Sequence, residues 1–173
     1  GHYVQKDLND DFSASVFISF IDGLDPTKRY FTKSDIKEFS RYKYQIDNQL
    51  KESDISFYNL VYNRFLTKIK NAEQYYAPIL KKSFNYKKDE IIDLDNENIQ
   101  YASNEKELID YWRKQLKLQT IDKIQYKEEL EQEKYKKDNQ YKKKSFSTIE
   151  KEARAEVMES MENLYIRLDE LEH

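Results

Sequence analysis

Two glycines and two prolines are spread over 173 residues, and that scarcity restricts the fold more than any motif does. Turns and hairpins draw on both residues for left-handed or fixed-φ positions, so a chain this poor in them is expected to run in long helices joined by few corners. The sequence therefore predicts an all-α fold, an irregular multi-helix bundle of about five to seven helices. One helical domain over 1–170 is expected, with 171–173 reading as the scar of a purification tag and the natural chain continuing beyond it.

A helical bundle needs an apolar face on every helix. The supply here is aromatic, with fifteen Tyr and nine Phe, each able to remove a large area from water. Phe12, Val16, Phe17, Phe20, Ile21 and Leu24 recur at helical spacing behind Asn9, Asp10 and Asp11, with Gly23 expected to end that helix in the left-handed conformation and Pro26 to prevent its continuation. A second helix starts at the Thr32–Asp35 capping box and turns Ile36, Phe39, Ile46 and Leu50 inward. A third opens at Ser53-Asp54, carries Phe57, Val61, Phe65 and Ile69 on one face, and is kinked or ended by Pro78. Between 81 and 103 the helical period fails and a long loop is expected, with short strand pairing open to it. Asn104 restarts a helix whose face is Leu108, Trp112 and Leu116. Residues 128–144 have almost no apolar stripe and read as a charged connector, either exposed helix or mobile arm. A capping box at Ser147–Glu150 then opens a last helix with Ala153, Val157, Met161, Leu164 and Leu168 inward.

Thirty basic residues against 33 acidic give a net charge of -3, so the chain as a whole has no field steering it to nucleic acid or anionic lipid. The lysines of 128–144, interleaved with Tyr135 and Tyr141, stand among Glu128, Glu129, Glu131, Glu133 and Asp138. A solvated face is the favoured reading, with a nucleic-acid strand as the rival. No run is apolar and long enough to span a membrane. Cysteine is absent, which removes thiolate metal sites and thiol nucleophiles. Apart from the terminal tag, His2 is the one imidazole, and no serine sits on a glycine-flanked strained turn, so no nucleophile–base pair is expected. Asp93-Leu94-Asp95-Asn96-Glu97 opens like a calcium loop, but position six is Asn98 and position twelve Asn104, which breaks the pattern. There is no phosphate-cradling glycine loop, and no cofactor or metal is expected.

The stretch from Phe20 to Asp35 is read first as a helix-to-helix corner, with Tyr30 and Phe31 folded beneath it and Asp25 capping its amides. Its wording carries more. His2-Tyr3, Leu8 to Ser13, Phe17, Leu24-Asp25-Pro26, Tyr30-Phe31 and Ser34-Asp35-Ile36 resemble the start of the N-terminal domain of tail-specific proteases, the larger carboxyl-terminal processing peptidases of bacteria. The likeness continues through Phe57–Leu60 and Asn104–Leu108 with Trp112, and departs most over 128–144. His2, Tyr3, Phe12, Ser13, Phe17, Leu24, Asp25, Pro26, Tyr30, Phe31, Asp35, Ile36 and Trp112 are its structural signature.

The resemblance implies a longer parent of the periplasm or cell envelope, with a PDZ-like segment and a Ser/Lys protease domain that this stretch does not include. It implies no catalytic residue here. The domain would scaffold the rest of the parent protease, help receive unfolded substrate tails and dock an adaptor lipoprotein. A stand-alone helical adaptor is the alternative.

Overall fold

The computed structural model describes residues 10–95 and 98–172; His2, Tyr3 and the first part of the family-like opening lie outside them. Among the described residues there are six α-helices and no strand: α1 (Asp10–Leu24), α2 (Lys33–Phe39), α3 (Ile46–Lys51), α4 (Ser56–Leu80), α5 (Glu105–Lys137) and α6 (Phe146–Asp169). None is long and apolar enough to cross a membrane. The chain divides into two compact units, one within 1–71 and 93–108, the other within 72–92 and 109–173.

The first unit is built on aromatic contacts. Phe31 and Phe39 are fully buried and meet edge to face at 5.3 Å; Tyr30 meets Phe65 at 5.7 Å, and Phe17 meets Phe57 at 5.8 Å. Such pairs contribute about 1 kcal/mol each beyond their burial. α1 packs on α3, and buried Ser13 explains how a polar residue is tolerated there. Its hydroxyl donates to Asp47 Oδ1 at 2.9 Å and accepts the Asp47 amide at 2.8 Å.

Gly23 does not end α1 in a left-handed turn. It lies inside the helix, and no glycine among the described residues has positive φ. The ladder runs on to Asp25, whose N–H reaches Ile21 O at 3.0 Å, and the reversal is a turn closed by Lys28 N–H on Asp25 O at 3.1 Å. Pro26 occupies the second turn position, where its fixed φ fits. The left-handed residue is Lys28, at φ 54, held there by its ammonium on Ile99 O at 2.5 Å and over the Tyr101 ring. Ser53 is likewise not a helix start: at φ 56 it terminates α3, and α4 begins at Ser56, where Asp54 Oδ1 accepts the Ser56 amide. Leu50 is exposed rather than inward, since α3 is a separate short helix with its own face. Strand pairing in the long loop reduces to one isolated parallel bridge, Thr32 to Ala102.

In the second unit Ala72, Tyr76, Leu80, Trp112, Leu116, Ile149, Ala153, Val157, Met161 and Tyr165 are buried. Pro78 sits in the last turn of α4, which ends two residues later. The capping box placed at Ser147 is shifted: Ser145 is the N-cap, its hydroxyl accepting Thr148 N–H at 3.2 Å, and Glu150 is used elsewhere. The charged connector is no loose arm. α5 continues to Lys137 although its outer face is polar, because buried Glu131 accepts the Tyr141 hydroxyl at 2.6 Å and the Lys144 amide at 2.9 Å and so ties the returning chain to the helix.

Candidate functional site

In the first unit the corner between α1 and α2 gathers much of the sequence signature. Asp25, fully buried, accepts the amides of Arg29, Tyr30 and Phe31 at 2.9, 3.1 and 2.9 Å. Burial raises its carboxyl above the usual range, and the three amides and Arg29 offset only part of that. Asp35 in the first turn of α2 takes the Thr32 amide at 2.9 Å, Arg64 at 2.8 Å and Lys68 at 3.1 Å. Burial alone would raise it, but these donors together hold it below the carboxylate range. The corner is tied to the far end of the long loop by Lys33 N–H on Ala102 O at 2.9 Å. Phe12, Leu24 and Ile36 are half-buried, Pro26 is exposed, and Trp112 is buried in the other unit against Tyr75. Both carboxylates are committed as caps of the corner's own backbone.

The second unit holds a cleft of about 530 Å³ where the chain leaves α4, lined by Pro78, Ile79 and Phe84 with Lys82, Asn85, Lys88 and Arg113 at its polar side. A smaller hollow of about 200 Å³ shares Lys88 and Glu90 and includes Lys117 and Ile121. Two carboxylates organise the walls. Glu90 receives both hydrogen bonds of Arg113 Nη1 at 3.0 Å with Lys117 and Lys88 at 3.5 Å, and Arg113 above all brings its pKa down to about 2. Lys117, nearly buried, also donates to Asn85 O at 2.8 Å, fixing the loop. Glu150 Oε1 accepts Ser83 Oγ at 2.9 Å, Tyr86 OH at 2.8 Å and Arg154 Nε at 2.7 Å, while Arg154 Nη1 caps Leu80 O at 2.9 Å. Burial would raise Glu150, but Tyr86, Arg154 and Ser83 lower it.

Ser83 with Glu150 is the nearest thing here to a nucleophile beside a base. A carboxylate with a lowered pKa and three donors on one oxygen is a poor acceptor of a serine proton. The cleft sets an apolar floor of Pro78, Ile79 and Phe84 beside the charged Lys82, Lys88 and Arg113. Among the described residues no cluster of His, Cys, Asp or Glu is arranged to hold a metal ion.

None of Glu90, Arg113, Lys117, Glu150 or Arg154 is a sequence candidate. Glu150 and Arg154 pair locally at i,i+4, but the contacts that build the walls, such as Arg113 to Glu90 and Arg154 to Leu80, lie 23 to 74 residues away along the chain, beyond the reach of periodicity. Glu150 carried a signal, a carboxylate in a capping-box frame, but it pointed to the wrong partner.

A sequence profile described as the tail specific protease N-terminal domain matches residues 1–171. A tail-specific protease of Haemophilus influenzae is 27% identical over 117 residues, which are 67% of this chain and 17% of that protein.

Proposed function

The chain belongs to the family of tail-specific protease N-terminal domains, and on that premise we propose that it is the non-catalytic helical part of a longer serine-type protease of the periplasm or cell envelope. It walls the protease and PDZ-like core, receives segments of unfolded protein substrate, and docks an adaptor lipoprotein. The observation that supports a receiving role is the cleft below α4. An apolar floor of Pro78, Ile79 and Phe84 beside Lys82 and Lys88 suits a short stretch of polypeptide with an apolar side chain.

The test begins with the coding region beyond Glu170, where a PDZ-like segment followed by a serine and lysine in protease context is expected. In that full-length protein Lys82→Glu is expected to raise KM for protein substrates several-fold with kcat unchanged, while residues 1–171 alone cleave nothing. An unchanged KM would remove the cleft from substrate handling.

A further inference from the structure

Averaged over 128–144 the charges nearly cancel, but the fold separates them. Every residue from 132 to 148 is exposed except half-buried Tyr141, so this stretch is the free end of the α5–α6 hairpin. Glu131 is buried at its base. From 134 to 144 the end carries Lys134, Lys136, Lys137, Lys142, Lys143 and Lys144 against Asp138 alone, leaving 24 basic and 32 acidic residues elsewhere in the chain. Glu133, one turn before Lys136 and Lys137, marks where the acidic part of α5 stops.

The hairpin end is also held in shape. Asp138 O accepts Tyr141 N–H at 3.0 Å and Asp138 Oδ1 accepts Gln140 N–H at 3.0 Å, over the two bonds to Glu131. Lys134 is spoken for by Glu131, Lys144 by Glu152, and Lys143 by Gln132. Among the described residues Lys136, Lys137 and Lys142 have no acidic partner.

We propose that the 134–144 hairpin end is a docking point for anionic lipid headgroups, through which the second unit meets a membrane surface. Three features favour a lipid surface over other polyanions. The stretch has six lysines and no arginine, whereas protein interfaces are enriched in arginine and depleted of lysine. Base stacking needs free ring faces, but Lys143 lies 5.1 Å over Tyr135, Lys134 lies 5.7 Å over Tyr141, and the Tyr141 hydroxyl is bound to Glu131. A convex turn of lysines with tyrosine at its edge meets a planar array of headgroups without needing a groove. The acidic remainder of the chain is repelled by the same surface, which leaves this end to face it. This inference is independent of the substrate cleft.

The experiment is co-sedimentation of the 173-residue chain with phosphatidylglycerol–phosphatidylcholine vesicles and with phosphatidylcholine alone, at low and high salt. Binding to the anionic vesicles only, weakened by salt, is expected. Each surface lysine is worth roughly fivefold in partitioning, so Lys136→Gln with Lys137→Gln and Lys142→Gln is expected to lose on the order of 100-fold. The exposed triple Lys33→Gln, Lys51→Gln and Lys81→Gln changes net charge equally and is expected to lose far less. Equal binding to neutral vesicles, equal losses in both triples, or displacement from the vesicles by a single-stranded oligonucleotide or polyglutamate at matched charge would each overturn the proposal.

Discussion

Removing the Asp25 carboxylate by Asp25→Ala strips three backbone amides of their acceptor at once. Those of Tyr30 and Phe31 are buried, and each orphaned amide costs roughly 1–3 kcal/mol; the part-buried Arg29 amide can turn to water. Relief of the buried carboxylate offsets some of the loss, which leaves about 3 kcal/mol. Asp25→Asn keeps one acceptor oxygen and is expected to cost about half as much. With an m-value near 2 kcal/mol/M in urea, the alanine variant moves the unfolding midpoint followed by far-UV circular dichroism by about 1.5 M. The pH dependence has a definite sign. Asp25 has a raised folded pKa, so in the window above 3.8 the native state holds more protons than the unfolded chain and the wild type loses stability as pH rises. The cost of Asp25→Ala is therefore largest near pH 4 and shrinks toward neutrality. A loss below about 1 kcal/mol, the value for an ordinary exposed cap, or a loss that grows with pH, would refute the reasoning.

Gly23→Ala is expected to stabilise the chain by about 0.5 kcal/mol in thermal or urea unfolding, because the site is helical and an added Cβ meets nothing within 4 Å; a left-handed glycine there would give the opposite sign. Phe31→Ala is expected to cost about 3–5 kcal/mol, since the ring is fully buried between Phe39 and Phe65. Glu90 is ionised in the folded state down to about 2, so its contribution is complete above 4.5 and lost between 4.5 and about 2; Glu90→Gln flattens acid unfolding in that window, and an unchanged slope contradicts the cluster. Glu131→Ala frees the returning chain, and trypsin is expected to cut at Lys142–Lys144 several-fold faster than in the wild type.

The helices were legible wherever one strong period governed a segment: Phe57, Val61, Phe65 and Ile69 along α4, and Ala153, Val157 and Met161 along α6 are all buried. The Asp25 cap was legible because a carboxylate before a proline turn has only local amides to meet. Reading failed where a local signal had a long-range competitor. Gly23 looked like a terminator, but the ladder continues to Asp25 and the left-handed strain falls on Lys28, which Ile99 O and Tyr101 compensate from some 70 residues away. Glu150 fitted a capping frame, yet Ser83, Tyr86 and Arg154 outweigh one helix-start amide. The walls of the cleft were illegible for the same reason.

Arg154 on Leu80 O also sets an order of events during synthesis. The carbonyl that ends α4 emerges 74 residues before the guanidinium that caps it, a delay of roughly 4–15 s at ribosomal speed. Through that interval the apolar floor at Pro78 and Phe84 has no α6 beside it, and neither Ser83 nor Tyr86 has its carboxylate. The end of α4 is thus capped only once α6 has been made.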